Sequence, residues 1–282
     1  MYVLHDLSEI IGRGSFGTVY RDGKYAIKTF LSHKHGDVER ESNSILMQLN
    51  APSNLFLVGE WLQIIKIKES ICSGIKMPCM HSNAYTESVK PRYHGLTYIT
   101  KLFDPVMKAI VEAGMFLSNN GYTHSDIKLS NVLIRFDKTD ALNIQLSDYS
   151  FLCKIGTRHE CFPLSQFCMY RHFTQFSLTS SDEDVYISNE DHEKWSIAMC
   201  IVDLAKQGMA CSCNCTDNKL EFDLHQQTAL KFRNATNRLQ HIENVLNEFK
   251  TRQTKLQTYE SDVVKINEVC ENYKKNAISL CF

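Results

Sequence analysis

Gly12, Gly14 and Gly17 stand in the run Ile-Ile-Gly-Arg-Gly-Ser-Phe-Gly-Thr-Val-Tyr, and the residues on either side of them decide which folds are open to the chain. Glycines at this spacing let backbone N–H groups approach a phosphate closely, because no side chain stands in the way. Dinucleotide-binding folds use a similar pattern, but there it must open a helix. Here the flanks read as strands. Residues 6–11, 17–21 and 24–30 are short and rich in β-branched and aromatic side chains, with Asp22-Gly23 as a tight hairpin turn. The context argues against a Rossmann fold and for a glycine-rich loop between two strands.

The next strand carries Ala26-Ile27-Lys28. A lysine in an apolar strand either snorkels outward or is held inward by an anionic ligand. Lys28 is eleven residues beyond Gly17, well placed to reach phosphates beneath the loop. Held inward, it needs a carboxylate. Residues 37–49 switch to a helical period, with Val38, Ile45 and Leu49 apolar and Asp37 as N-cap, and they offer Glu39 and Glu41. Glu41 is the expected partner, since Ile45 follows one turn later on the same face; Glu39 is the alternative.

Strand character returns over 55–68 and 74–78, and helices dominate from Asp104. Asp104-Pro105 reads as an N-cap and first-turn proline; Val106, Ile110, Ala113 and Leu117 line one face until Gly121. Then comes Tyr-Thr-His124-Ser125-Asp126-Ile127-Lys128-Leu129-Ser130-Asn131, followed by an apolar strand, a second strand over 143–146, and Asp148-Tyr149-Ser150. Asp126, Asn131 and Asp148 supply one carboxylate for a hydroxyl nucleophile and two oxygen ligands suited to Mg2+, a hard cation. Each residue alone is common in loops; the ordered set is not.

This set resembles the signature of the eukaryotic-type protein kinases over about residues 4–208. The resemblance implies an α+β bilobal fold, with a small β-rich N-lobe over 1–80 and a larger, mostly helical C-lobe over 81–282. It implies ATP and Mg2+ as cofactors. By the same resemblance Lys28 binds the α- and β-phosphates and pairs with Glu41, Asp126 and Lys128 are catalytic, and Asn131 and Asp148 hold the metal. Gly12, Gly14 and Gly17 cover the phosphates, Val19 and Ala26 roof the adenine, Met77 is the gatekeeper and Met80 belongs to the hinge. Lysine two places after Asp126 resembles the serine/threonine branch. Glu193-Lys194-Trp195-Ser196 resembles the start of the family's central C-lobe helix.

The departures are also informative. Ser125 replaces the usual arginine before the catalytic aspartate, Ser150 the usual glycine, and Glu193 the usual central-helix aspartate. The Ala-Pro-Glu stretch is eroded, with Tyr-Arg-His-Phe-Thr at 170–174 in its place. These features resemble kinases of large DNA viruses: the baculovirus and nudivirus, herpesvirus, and poxvirus or vaccinia-related groups. Every group that touches ATP, metal or nucleophile is kept, which favours an active serine/threonine kinase over a pseudokinase acting as a binding module. A small-molecule kinase of the same fold is disfavoured by the complete glycine loop and Lys128.

A formal net charge of −1 gives no global field for nucleic acid or an anionic membrane, so a protein substrate is the expected partner and no direct nucleic-acid contact is expected. The acidic run Asp182, Glu183, Asp184, Glu190, Asp191 and Glu193 suggests basic substrates, although a solvated loop is the plainer account. No signal peptide or spanning segment is read, so an intracellular location is expected, in host cytoplasm or nucleus for a viral kinase. Eleven cysteines without paired spacing read as reduced thiols, including Cys211, Cys213 and Cys215. Residues 231–278 read as polar surface helices.

Overall fold

The computed structural model describes residues 2–4, 9–14, 16–30, 32–67, 70–90, 95–138, 141–160, 185–188 and separate positions between 190 and 204. They fall into two compact units. One comprises Met1–Ser82 with Leu133–Leu152, the other Asn83–Val132 with the chain from Cys153 onward.

The first unit is built on six strands: β1 (Tyr2–Leu4), β2 (Ile10–Arg13), β3 (Gly17–Asp22), β4 (Tyr25–Phe30), β5 (Glu60–Ile67) and β6 (Ser70–Pro78). They pair in the order β1-β5-β6-β4-β3-β2, and every pairing is antiparallel except β1 with β5. The expected hairpin forms, with Asp22 opposite Tyr25 and Gly23 in the left-handed conformation at φ 58° that a tight turn needs. Strand β2 begins at Ile10; residues 5–8, where the sequence suggested its start, lie outside the described residues. Leu4, Ile27 and Ile65 form a buried cluster, and each fully buried side chain of this size contributes about 1.5–3 kcal/mol.

Helix α1 (His33–Gln48) starts earlier than its apolar pattern suggested. Ser32, not Asp37, caps it, accepting from the His35 N–H at 3.3 Å. Its buried face carries Gly36, Glu39, Ser42, Asn43 and Leu46, whereas Val38 is exposed. Asn43 fixes that rotation. Its side chain donates to the Gly59 carbonyl at 2.7 Å and accepts from the Gly59 N–H at 3.0 Å, tying α1 to the segment before β5.

The chain passes into the second unit along the short strand β7 (Ser82–Asn83), which leads into α2 (Ala84–Ser88), followed by α3 (Gly95–Tyr98) and a π-helical turn (Ile99–Phe103). The turn runs directly into α4 (Asp104–Asn119), so Asp104 is the first helical residue and not the cap. Val106, Ile110, Ala113 and Leu117 are buried as the pattern required. Strand β8 (Tyr122–Thr123) enters the loop that carries Asp126. Strands β9 (Val132–Phe136) and β10 (Leu142–Leu146) then run in the first unit, and the chain returns to the second as β11 (Cys153–Lys154), antiparallel to β8. A further pair, β12 (Arg158–Glu160) and β13 (Val185–Ile187), is antiparallel. Among the described residues no helix is long and apolar enough to cross a membrane. Cys72, Cys79, Cys153 and Cys200 carry free thiols. The stretches 170–174 and 231–278 and the cluster Cys211, Cys213 and Cys215 lie outside the described residues, as do Asp182, Glu183, Asp184 and Asp191.

Candidate active site

In the first unit the glycine-rich loop joins β2 to β3. Gly17 is required there, because a Cβ would stand 1.9 Å from the Thr29 carbonyl oxygen on β4. A Cβ on Gly14 would meet nothing within 4 Å, so the loop's tip is open on that side. Lys28 lies opposite Val19 in the β3–β4 register, and Ala26 lies opposite Met77 in the β4–β6 register. Met80 is buried. The amides on either side of it are committed, Cys79 N–H to the Lys24 carbonyl at 3.0 Å and His81 N–H to the Ile134 carbonyl at 2.9 Å.

Lys28 is held inward. Its ammonium donates to Glu39 Oε1 at 3.0 Å and to Asp148 Oδ1 at 3.1 Å. Burial alone would push its pKa down; the two carboxylates outweigh that, and the net shift is upward. The partner from α1 is thus Glu39 and not Glu41, which is exposed. The cause is helical geometry. Glu39 lies four residues before Asn43, on the face that Asn43 pins inward, whereas a residue two positions away points elsewhere.

Asp148 follows β10 with φ 65°, a left-handed backbone that a non-glycine residue adopts at a cost of order 1–3 kcal/mol. The next two residues anchor it. The Tyr149 hydroxyl is buried, donates to the Leu146 carbonyl and accepts from the Leu57 N–H at 2.9 Å. Burial drives its pKa well above the ordinary value. The Ser150 hydroxyl reaches Glu39 Oε2 at 2.7 Å and Asp148 Oδ1 at 3.0 Å.

In the second unit Asp126 is held from both sides. Lys128 Nζ donates to its Oδ2 at 2.7 Å, and Asn131 Nδ2 donates to the same oxygen at 3.0 Å and to the Asp126 carbonyl at 2.9 Å. Ser125 has φ 63°. Its hydroxyl lies 2.8 Å from Thr123 Oγ1, which is itself 2.7 Å from Ser188 Oγ. Glu193 supports the loop from beneath: its carboxylate accepts from the His124 N–H at 2.7 Å and the Ser125 N–H at 3.1 Å. Burial raises its pKa to about 7 against the pull of those two N–H groups, and the charge of Asp126 adds to the rise.

A protein kinase domain model matches residues 5–280. The chain belongs to the protein kinase domain family. Two relatives from Dictyostelium discoideum are similar to it: probable serine/threonine-protein kinase gdt4, 28% identical over 159 residues, and probable serine/threonine-protein kinase gdt2, 31% identical over 137. The matches cover 55% and 45% of this chain but only 9% and 8% of those proteins, so the chain spans a small fraction of their length. Among solved structures, the Toxoplasma gondii specific rhoptry antigen kinase domain matches with a TM-score of 0.53 at 11% identity, covering 86% of this chain and 81% of that one. That likeness shows the α+β kinase fold.

Within the kinase family the donor set fits the cofactors. In the first unit the space open at Gly14 and the inward-held Lys28 ammonium suit phosphate, and the Asp148 carboxylate is a hard donor of the kind Mg2+ takes; in the second unit the side-chain amide oxygen of Asn131 is another. Three contributors escaped sequence reasoning. Asn43 was legible only as a polar residue on a buried face. Ser150 and Glu193 were visible as departures from the family pattern, but their hydrogen bonds reach across 111 and 69 residues of sequence.

Proposed function

We propose that the chain is a serine/threonine protein kinase that transfers the ATP γ-phosphate to protein hydroxyls. The observation that carries this reading is the buried Lys28 ammonium shared between Glu39 and Asp148. Lys28 would hold the α- and β-phosphates beneath the glycine-rich loop, and the Met80 backbone would hold adenine. Asp148 and Asn131 are the residues that would hold Mg2+, and Mg2+–ATP would supply the phosphoryl group when bound. Asp126 orients the substrate hydroxyl and receives its proton, while Lys128 offers positive charge beside the transferred group. Little covalent chemistry is asked of the protein; positioning and electrostatics dominate. A large-DNA-virus origin, acting in host cytoplasm or nucleus, belongs to the same reading and rests on the His124–Asn131 sequence.

The test is radiolabel transfer from ATP with Mg2+, using a basic and an acidic peptide, on wild type and Asp126→Asn. Transfer is expected on wild type, favouring the basic peptide because of the acidic run near 182–193, and lost by about 100-fold or more in the variant. ATP binding without transfer would favour the pseudokinase alternative instead. Equal use of both peptides would remove the substrate preference.

Activity is further expected not to depend on phosphorylation of the activation loop. Ser125 occupies the position of the arginine that would pair with such a phosphate, and its hydroxyl lies beside the neutral side chains of Thr123 and Cys153. Phosphatase treatment should leave the transfer rate within about twofold, and a loss of about tenfold or more would overturn this expectation.

A further inference from the structure

Lys28, Glu39 and Asp148 bring two carboxylates onto one ammonium, so these three side chains together carry a net negative charge. Like charges this close repel. What stands between Glu39 and Asp148 is the hydroxyl of Ser150. It lies 2.7 Å from Glu39 Oε2, an oxygen that Lys28 does not take, and 3.0 Å from Asp148 Oδ1, an oxygen that Lys28 does take. A serine hydroxyl has one proton to give. The shorter contact claims most of it, so the hydroxyl is principally a donor to Glu39 with a weaker second contact to Asp148.

We propose that Ser150 is a positioning residue: its hydroxyl bridges Glu39 and Asp148 and holds the α1 carboxylate, Lys28 and Asp148 in one arrangement before nucleotide binds. This rests on the kinase reading of the site. Two further observations support it. Tyr149 already fixes the backbone on one side through Leu57 and Leu146, so Ser150 is presented by an anchored chain rather than a loose one. The left-handed Asp148 costs backbone energy and persists only where neighbours over-determine it, and Ser150 is one of those neighbours. A glycine at 150 has no hydroxyl and leaves the backbone more conformations; serine removes both freedoms. A carboxylate engaged by a metal no longer needs the hydroxyl, and the proton then belongs wholly to Glu39. The bridge thus orders the site ahead of nucleotide without competing with the metal.

The experiment compares Ser150→Ala, Ser150→Gly and Ser150→Thr with wild type as the full chain, by two readouts. The first needs no nucleotide: amide hydrogen exchange over 148–152 and along α1. The bridge predicts exchange faster by about tenfold in the alanine and glycine variants and near wild-type protection in the threonine variant, which keeps the hydroxyl. The second is steady-state transfer from ATP and Mg2+. Here kcat should fall by about tenfold in the alanine and glycine variants, with KM for ATP within about twofold and threonine restoring the rate. Unchanged exchange in Ser150→Ala would overturn the bridge. Changed exchange with unchanged kcat would overturn its positioning role. A wild type that transfers nothing defeats the kinase reading and with it the positioning role, while the exchange arm still decides whether the bridge exists.

Discussion

Replacing Lys28 with methionine is expected to abolish phosphoryl transfer and also to weaken the fold. Transfer should fall by about 100-fold or more, because the variant lacks the charge proposed to meet the phosphates. Stability should fall by about 3 kcal/mol, because Glu39 is only 4% exposed and would be left beside Asp148 without the ammonium that now joins them. Asp148→Ala should lose transfer to a similar degree with a smaller loss of stability, since its carboxylate is a third exposed and its removal relieves the crowding of negative charge. Adding Glu39→Gln to Lys28→Met should restore much of the stability and none of the activity. Urea unfolding midpoints and radiolabel transfer on the four proteins decide it. If Lys28→Met unfolded at the wild-type midpoint, the buried pair would carry no weight in the fold. If it kept wild-type turnover, the assignment of the site would fail.

How far the sequence reached is clearest in α1. The helix itself was legible, because its period over 37–49 was plain. Its facing was not. An apolar face drawn through Val38, Ile45 and Leu49 pointed to Glu41, yet the helix turns inward on Glu39, Ser42, Asn43 and Leu46. Polar residues on a buried face are invisible to a hydrophobic pattern, and the bond that fixes the rotation joins Asn43 to Gly59, sixteen residues on. Local signals did better. Asp22-Gly23 gave its hairpin, and the apolar stripe of α4 gave its buried face, because turn chemistry and helical period act within a few residues. Asp104 was misassigned as a cap for a related reason: the preceding π-helical turn supplies the backbone that a cap would otherwise begin. The loop around Asp126 was picked out by the order of its residues, and the structure brings Asp126, Lys128 and Asn131 together. Its support by Glu193 was not, since nothing local announces a carboxylate from so far along the chain.

That support leads to the second large effect expected. Glu193→Ala should destabilise the second unit by about 2–6 kcal/mol, because the buried N–H of His124 and the N–H of Ser125 each lose their acceptor at about 1–3 kcal/mol apiece. Transfer should fall with it, since the same two residues deliver Asp126. The pH dependence gives a separate signature. In the unfolded chain a glutamate titrates near 4.5; in the folded protein burial raises Glu193 to about 7. Between those values the folded state keeps a proton that the unfolded state releases. Stability from this group is therefore fully present below about pH 4.5 and is lost as pH rises through about 7, by on the order of 3 kcal/mol. Glu193→Gln cannot titrate and should lack that decline. It keeps one carbonyl oxygen for one N–H but turns an amide N–H₂ toward the other, so it should be less stable than wild type at pH 5 and closer to it at pH 8. Urea midpoints at pH 5, 6, 7 and 8 for both proteins test this. Parallel curves would mean that Glu193 titrates alike in the folded and unfolded chains, and the account of a carboxylate strained by burial beneath the Asp126 loop would fall.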